Sequence, residues 1–160
     1  MDIKQIIGDY KKFLNKIFDY IKKLKIDVSN YELDHMCFRV ENKKQYDSIK
    51  KEMQNFGQLI SEKNIRNRTI VVFKLNKALV YKHFNISYIE IPAPSEHKNY
   101  KRGLQHIEFV INTSKKIFIK KHPQLNFEQE KLSGRKEPEL KLKFGELAVK
   151  FHLKNVAEEI

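Results

Sequence analysis

The chain has 160 residues, 41% of them hydrophobic and 11% aromatic, and carries a formal charge of +12. That length holds one domain, or two small halves around a shared core, and the apolar content suffices for such a core. No apolar run approaches the roughly 20 residues that a bilayer-spanning helix needs. The lysine-studded start lacks a signal-peptide core, and the one cysteine, Cys37, can form no intrachain disulfide. A soluble, cytoplasmic protein without a membrane partner is the expectation.

Residues 2–25 place Ile3, Ile6, Ile7, Tyr10, Phe13, Leu14, Ile17, Phe18, Ile21 and Leu24 at helical spacing with lysines between them, which predicts an amphipathic helix or helix pair packed on the rest of the fold. After Ser29-Asn30, "LDHMCFRVE" alternates as a strand. Residues 42–57 form a helix with the seam Tyr46, Ile49 and Met53, and Gly57 reads as its stop. "QLISEKNI" and "TIVVFKL" read as strands across a turn at residues 66–68. "KALVYKHFN" fits either a strand or a crossing loop, and "ISYIEI" is a strand ended by Pro92-Ala93-Pro94.

Residues 92–103 are a polar connector. "LQHIEFVI" is the next strand, "SKKIFIKK" a short helix, and residues 124–136 read as irregular. "PELKLKF" and "ELAVKFHL" follow as strands joined at Gly145, and "NVAEEI" as a helical turn. The organisation is an N-terminal helical segment (1–27), a first module (28–91), a connector (92–103) and a second, shortened module (104–160). The Leu-x-His-apolar-x-Phe wording of residues 33–38 recurs at 104–109, as expected if one unit was written twice.

Alternate strand residues share a face. His35, Cys37 and Arg39 therefore go together, as do His106 and Glu108, Tyr88 and Glu90, and Lys150 and His152. If the opening and closing strands of both modules line one concave sheet, His35, Glu90, His106 and His152 converge. Imidazole and carboxylate suit a divalent ion such as zinc, iron(II), manganese, nickel or cobalt. A carboxylate like Glu90 in an apolar strand is costly to bury without a partner. A salt bridge to Arg39 or a lysine is the plain alternative. Glu108 is a candidate base and Arg39 a candidate anion clamp. Cys37 reads as a buried structural thiol, and His83, His97 and His122 as solvated.

The excess positive charge invites a nucleic-acid reading. The lysines are spread along the whole chain among acidic residues, so charge here speaks to solubility more than to a polyanionic partner. There is no Gly-rich phosphate loop, HExxH, paired CxxC or nucleophile elbow.

"LDHMCFRV", "YIEIPAP", "LQHIEFVI" and "VKFH" together resemble the vicinal oxygen chelate superfamily of glyoxalases and extradiol dioxygenases. Within it they are similar to the YecM-like family of small bacterial proteins. The resemblance covers residues 28–153. It implies an α+β fold of paired βαβββ modules forming a cup-shaped mixed sheet, with the N-terminal helix added. It also implies a divalent metal held by His35, Glu90, His106 and the last-strand position. That position offers His152, or Lys150 as the other inward candidate, where the superfamily commonly has a carboxylate. The function implied is an isomerase, lyase or oxidoreductase acting on a small oxygen-chelating substrate. A non-catalytic metal- or small-molecule-binding protein of the same fold is the alternative, as a monomer or homodimer.

Overall fold

A computed structural model describes residues 2–65, 67–130 and 139–160. The elements are α1 (Lys4–Ile7), α2 (Tyr10–Lys23), β1 (Glu32–Arg39), α3 (Lys43–Met53), β2 (Gly57–Ile65), β3 (Arg68–Tyr81), β4 (Phe84–Pro92), β5 (Gly103–Val110), α4 (Lys115–Lys121), β6 (Glu128–Glu130), β7 (Glu139–Phe144), β8 (Leu147–His152) and a final 3-10 turn, Val156–Glu159. The fold is α+β.

The N-terminal stripe breaks in two at Gly8, which takes φ +82°, a conformation that only glycine adopts cheaply. Asp9 then caps α2, its side chain accepting from the Lys11 and Lys12 amides at 3.1 Å. Gly57 is not the stop of α3. The helix ends at Met53 with Gln54 as its C-cap, and Gly57 opens β2, where an added Cβ would stand 2.4 Å from the Lys74 carbonyl oxygen. The ambiguous "KALVYKHFN" continues β3 to Tyr81 and turns at Lys82, a positive-φ residue. Residues 124–136, read as irregular, contain β6 at Glu128–Glu130. The remainder of that stretch from residue 131, the start of "PELKLKF" at Pro138, and Arg66 lie outside the described residues.

The strands form a single mixed sheet in the order β2-β3-β4-β1-β5-β8-β7-β6. Each half has the same plan, an opening strand paired in parallel with its closing strand: β1 with β4, and β5 with β8. The two opening strands meet antiparallel at the centre, so the halves are related by an approximate two-fold between β1 and β5.

One face of this sheet is the core. Met36, Phe38, Ile89, Ile107, Phe109, Val149 and Phe151 are all essentially inaccessible, each such side chain contributing about 1.5–3 kcal/mol on burial. Helix α2 covers both halves. Phe18 packs against Tyr81 and Phe84 of the first at 5.1 and 5.4 Å and against Phe109 of the second at 6.1 Å. Tyr20 stacks on Phe144 at 3.9 Å and donates to the Lys143 carbonyl. Phe118 of α4 closes the far end on Phe151, 4.7 Å away. The opposite face carries the polar residues of the central strands.

Candidate metal centre

The two histidines reach the polar face through a pair of matching irregularities. In a regular strand Leu33 and His35 would share a face, as would Leu104 and His106. Between Leu33 and His35 the register of β1 against β5 slips by one residue, and between Cys37 and Phe38 it slips back on the other strand. The extra residues are Asp34 on β1 and Gln105 on β5. Each bulge lets the leucine stay with the core while the histidine turns to the other face.

The bulged residues also bind the histidines they precede. Asp34 Oδ2 lies 2.8 Å from His35 Nδ1, and Gln105 Oε1 lies 2.5 Å from His106 Nδ1. An acceptor at Nδ1 holds the proton there and leaves Nε2 as the donor atom of the ring. Asp34 Oδ2 accepts from the Val156 amide at 2.9 Å as well, so the C-terminal turn braces the first histidine. Gln105 Nε2 donates to the Glu146 carbonyl at 3.2 Å, so the β7–β8 hairpin braces the second.

Both Nε2 atoms point toward Glu90. His35 Nε2 is 3.8 Å from Glu90 Oε2, and His106 Nε2 is 4.0 Å from Glu90 Oε1. The ring centroids are 6.1 Å apart. Register explains the convergence: Cys37, on the floor between the histidines, pairs with Glu90 on one side and His106 on the other. One donor atom from each of His35, Glu90 and His106 falls within 4.8 Å of the others. Donors about 2.1 Å from a shared ion stand roughly 3–4.4 Å apart, so small side-chain adjustments suffice for these three to share one. Among the described residues, both Nε2 atoms are buried without a hydrogen-bond partner. Leaving such atoms unsatisfied is costly, which favours an occupant for the space between them.

The two rings differ in charge. Burial opposes protonation of His35, but the Asp34 hydrogen bond and the charges of Glu108, Asp34 and Glu90 overcome it and raise the ring to about 9. His106 is driven well below its ordinary value by burial and by the positive charges of Lys150, His35, Arg39 and Lys141. Burial raises Glu90, yet His35, Lys150 and Arg39 outweigh it and hold the carboxylate ionised. Burial pushes the Cys37 thiol up to about 12, in keeping with an inert structural cysteine.

The remaining candidates fall around this centre. Glu108 faces the same side as His35, its register partner, and groups with Asp34 and His35 rather than with Glu90 and His106. Arg39 lies one side-chain step beyond Cys37, its guanidinium over Tyr100. Lys150 pairs with Glu139 at 2.9 Å. His152 is not brought to the cluster: it sits four residues past Ala148, the partner of His106, or about 13 Å along β8. There its Nδ1 accepts from the Lys154 amide and lies 3.4 Å from Glu159. His83 and His97 are exposed, whereas His122 is half-buried against Phe118. Asp34, Gln105 and Tyr100 were not singled out from the sequence. The signal for the first two was the variable position of Leu-x-His, which carries a side-chain oxygen in both copies.

The fold is that of paired βαβββ halves around a central polar face, and it is shared with a solved structural-genomics protein, EC4020. That likeness has a TM-score of 0.83 at 22% identity and covers 99% of this chain and 91% of the other. The profile of the YecM protein family matches residues 2–160, and the chain belongs to that family. It is 26% identical over 110 residues to protein YecM of Escherichia coli and 27% identical over 110 residues to an uncharacterised protein of Haemophilus influenzae. Each alignment covers 69% of this chain and 58% of the relative, so the matched region spans under two thirds of those proteins. Among the described residues, no helix is long and apolar enough to cross a membrane.

Proposed function

We propose that this chain is a divalent-metal protein of the vicinal oxygen chelate type, acting on a small molecule that presents two neighbouring oxygens. His35, Glu90 and His106 would hold the ion, which when bound supplies Lewis acidity toward an oxygen of the substrate. The observation that carries the reading is a pair of buried Nε2 atoms facing one carboxylate with no hydrogen bond to either among the described residues, each ring locked through its Nδ1. Two imidazoles and a carboxylate fill half of an octahedron and leave positions for water or substrate. His152 has no part in this set. Glu108 groups with Asp34 and His35 and would serve as an outer carboxylate beside the first histidine.

Turnover as an isomerase, lyase or oxidoreductase is favoured over passive storage by the polar lining of the cup, where Arg39 and Lys150 flank the donors. A pure sequestering pocket has less use for such charges. The test is elemental analysis of the purified wild type beside His35→Ala and His106→Ala. The wild type should carry close to one equivalent of a divalent ion and both variants close to none. Full stoichiometry in both variants would overturn the assignment.

A further inference from the structure

Arg39 holds a position that the metal reading leaves unexplained. Its Nε and Nη1 are buried and, among the described residues, have no hydrogen-bond partner. A guanidinium in that state is poised for an acceptor, and a carboxylate matches its geometry best. The head is held in place from behind. It lies over the Tyr100 ring, 5.0 Å from the centroid. Tyr100 is itself pinned by Arg68, whose Nη1 donates to the phenol oxygen at 3.1 Å. The connector between the halves thus bends Tyr100 over the end of β1 and gives Arg39 an aromatic backing.

Spacing relates this head to the centre. Cys37 pairs with both Glu90 and His106, and Arg39 follows two residues later on the same face, about 7 Å along the strand. A molecule with its chelating oxygens at the three donors can therefore reach Arg39 with its far end. Arg39 and Lys150 place positive charge beside Glu90 and His106, so the Arg39 end of the site is cationic. Glu108 and Asp34 lie on the opposite side of His35 and do not cancel that bias at the Arg39 end.

We infer that the ligand of this site is a small 2-oxo or 2-hydroxy acid bearing a second carboxylate, the chelating end at His35, Glu90 and His106 and the distal carboxylate on Arg39. The inference rests on the metal reading and adds the substrate class. Arg39 and Tyr100 become specificity-determining residues: the first binds the distal carboxylate, the second positions the first.

Cobalt(II)-loaded protein, followed by its visible absorption, tests this with two probes sharing one chelating end. Pyruvate has no second carboxylate; 2-oxoglutarate has one. The wild type should bind 2-oxoglutarate at least tenfold more tightly than pyruvate. Arg39→Gln should abolish that preference while still taking up cobalt, and Arg39→Lys, which keeps charge but not the planar fork, should retain part of it. Equal affinity for the two probes in the wild type, or an unchanged preference in Arg39→Gln, would overturn the inference and leave the metal site standing. Failure of the wild type to take up cobalt would sink the metal reading instead. Calorimetric titration of metal-free protein with glutarate then decides the subsite: binding that Arg39→Gln loses supports it, and no binding in the wild type overturns it.

Discussion

The two halves of the sheet use the same backbone device to opposite electrostatic ends. In each, a bulged residue turns its side-chain oxygen onto Nδ1 of the histidine that follows it. In the first half the oxygen belongs to a carboxylate, with Glu108 close behind, and the ring rises to about 9. In the second it belongs to a neutral amide, and burial together with the charges of Lys150, His35, Arg39 and Lys141 drives the ring down. A duplicated fold has kept the geometry of its two donors and separated their charge. The metal-free centre is then an imidazolium, a carboxylate and a neutral imidazole, with the His35 proton standing where an ion would have to compete for Nε2.

The comparison breaks most severely at Asp34. Asp34→Ala removes the brace of His35 and the acceptor of the Val156 amide together. Loss of an outer-shell partner of this kind lowers metal affinity about 10–100-fold. The stranded amide costs a further ~1–3 kcal/mol of fold stability. Chelator competition and urea unfolding measure the two effects separately. Asp34→Asn is the sharper probe, since it gives the first half the neutral backing of the second. The His35 ring should then fall, which ring-proton NMR reads directly. A His35 titration unmoved in Asp34→Asn would show that the asymmetry does not come from the bulge.

A somewhat smaller effect is the pH dependence of the metal-free protein. The folded His35 value, about 9, lies above its ordinary 6.5. Its contribution is therefore fully present below pH 6.5 and is lost as pH rises toward 9. His106 is shifted the other way, and it costs stability only as pH falls below 6.5. Cys37 adds a loss in the same direction as His35, but only where an unfolded thiol ionises, above about 8.5. Between pH 6.5 and 8.5 the metal-free protein should lose on the order of 2–3 kcal/mol in urea unfolding. On the proposed function, a metal at His35 would displace the same proton, so apparent affinity should climb about tenfold per pH unit over that window. A stability profile that is flat there would mean that His35 is neutral in the folded chain.

What the sequence disclosed, and what it concealed, divides along the same lines. The repeated Leu-x-His wording, the apolar strand carrying Glu90 and the order of elements point to a duplicated module, and it is the symmetry of that module that places His35, Glu90 and His106 together on an α+β sheet. Strict alternation hid the mechanism, because it puts each leucine on the face of its histidine. Only a bulge separates them, and bulges leave no periodic mark in one sequence. His152 was misplaced for a related reason. Alternation fixes its face correctly, but its height along β8 depends on how β8 registers against β5, and Ala148 rather than His152 meets His106. Gly57 looked like a helix stop because glycine serves both roles. The close approach of the Lys74 carbonyl is a tertiary contact that local pattern cannot foresee.

The mildest intervention converts the second half toward the first. Gln105→Glu puts a carboxylate on His106 Nδ1 and gives up the hydrogen bond that Gln105 Nε2 makes to the Glu146 carbonyl. That carbonyl sits at an exposed turn where water can replace the lost donor, so the stability cost should stay near ~1 kcal/mol or below. The ring responds more than the fold. An anion at Nδ1 favours the charged imidazole, while Lys150, Arg39 and Lys141 still oppose it. The His106 titration should therefore move upward in the metal-free protein without reaching that of His35, since burial and those three cations remain. If instead the two rings titrate together in Gln105→Glu, the bulge residue alone sets the charge of each histidine, and the surrounding lysines are spectators.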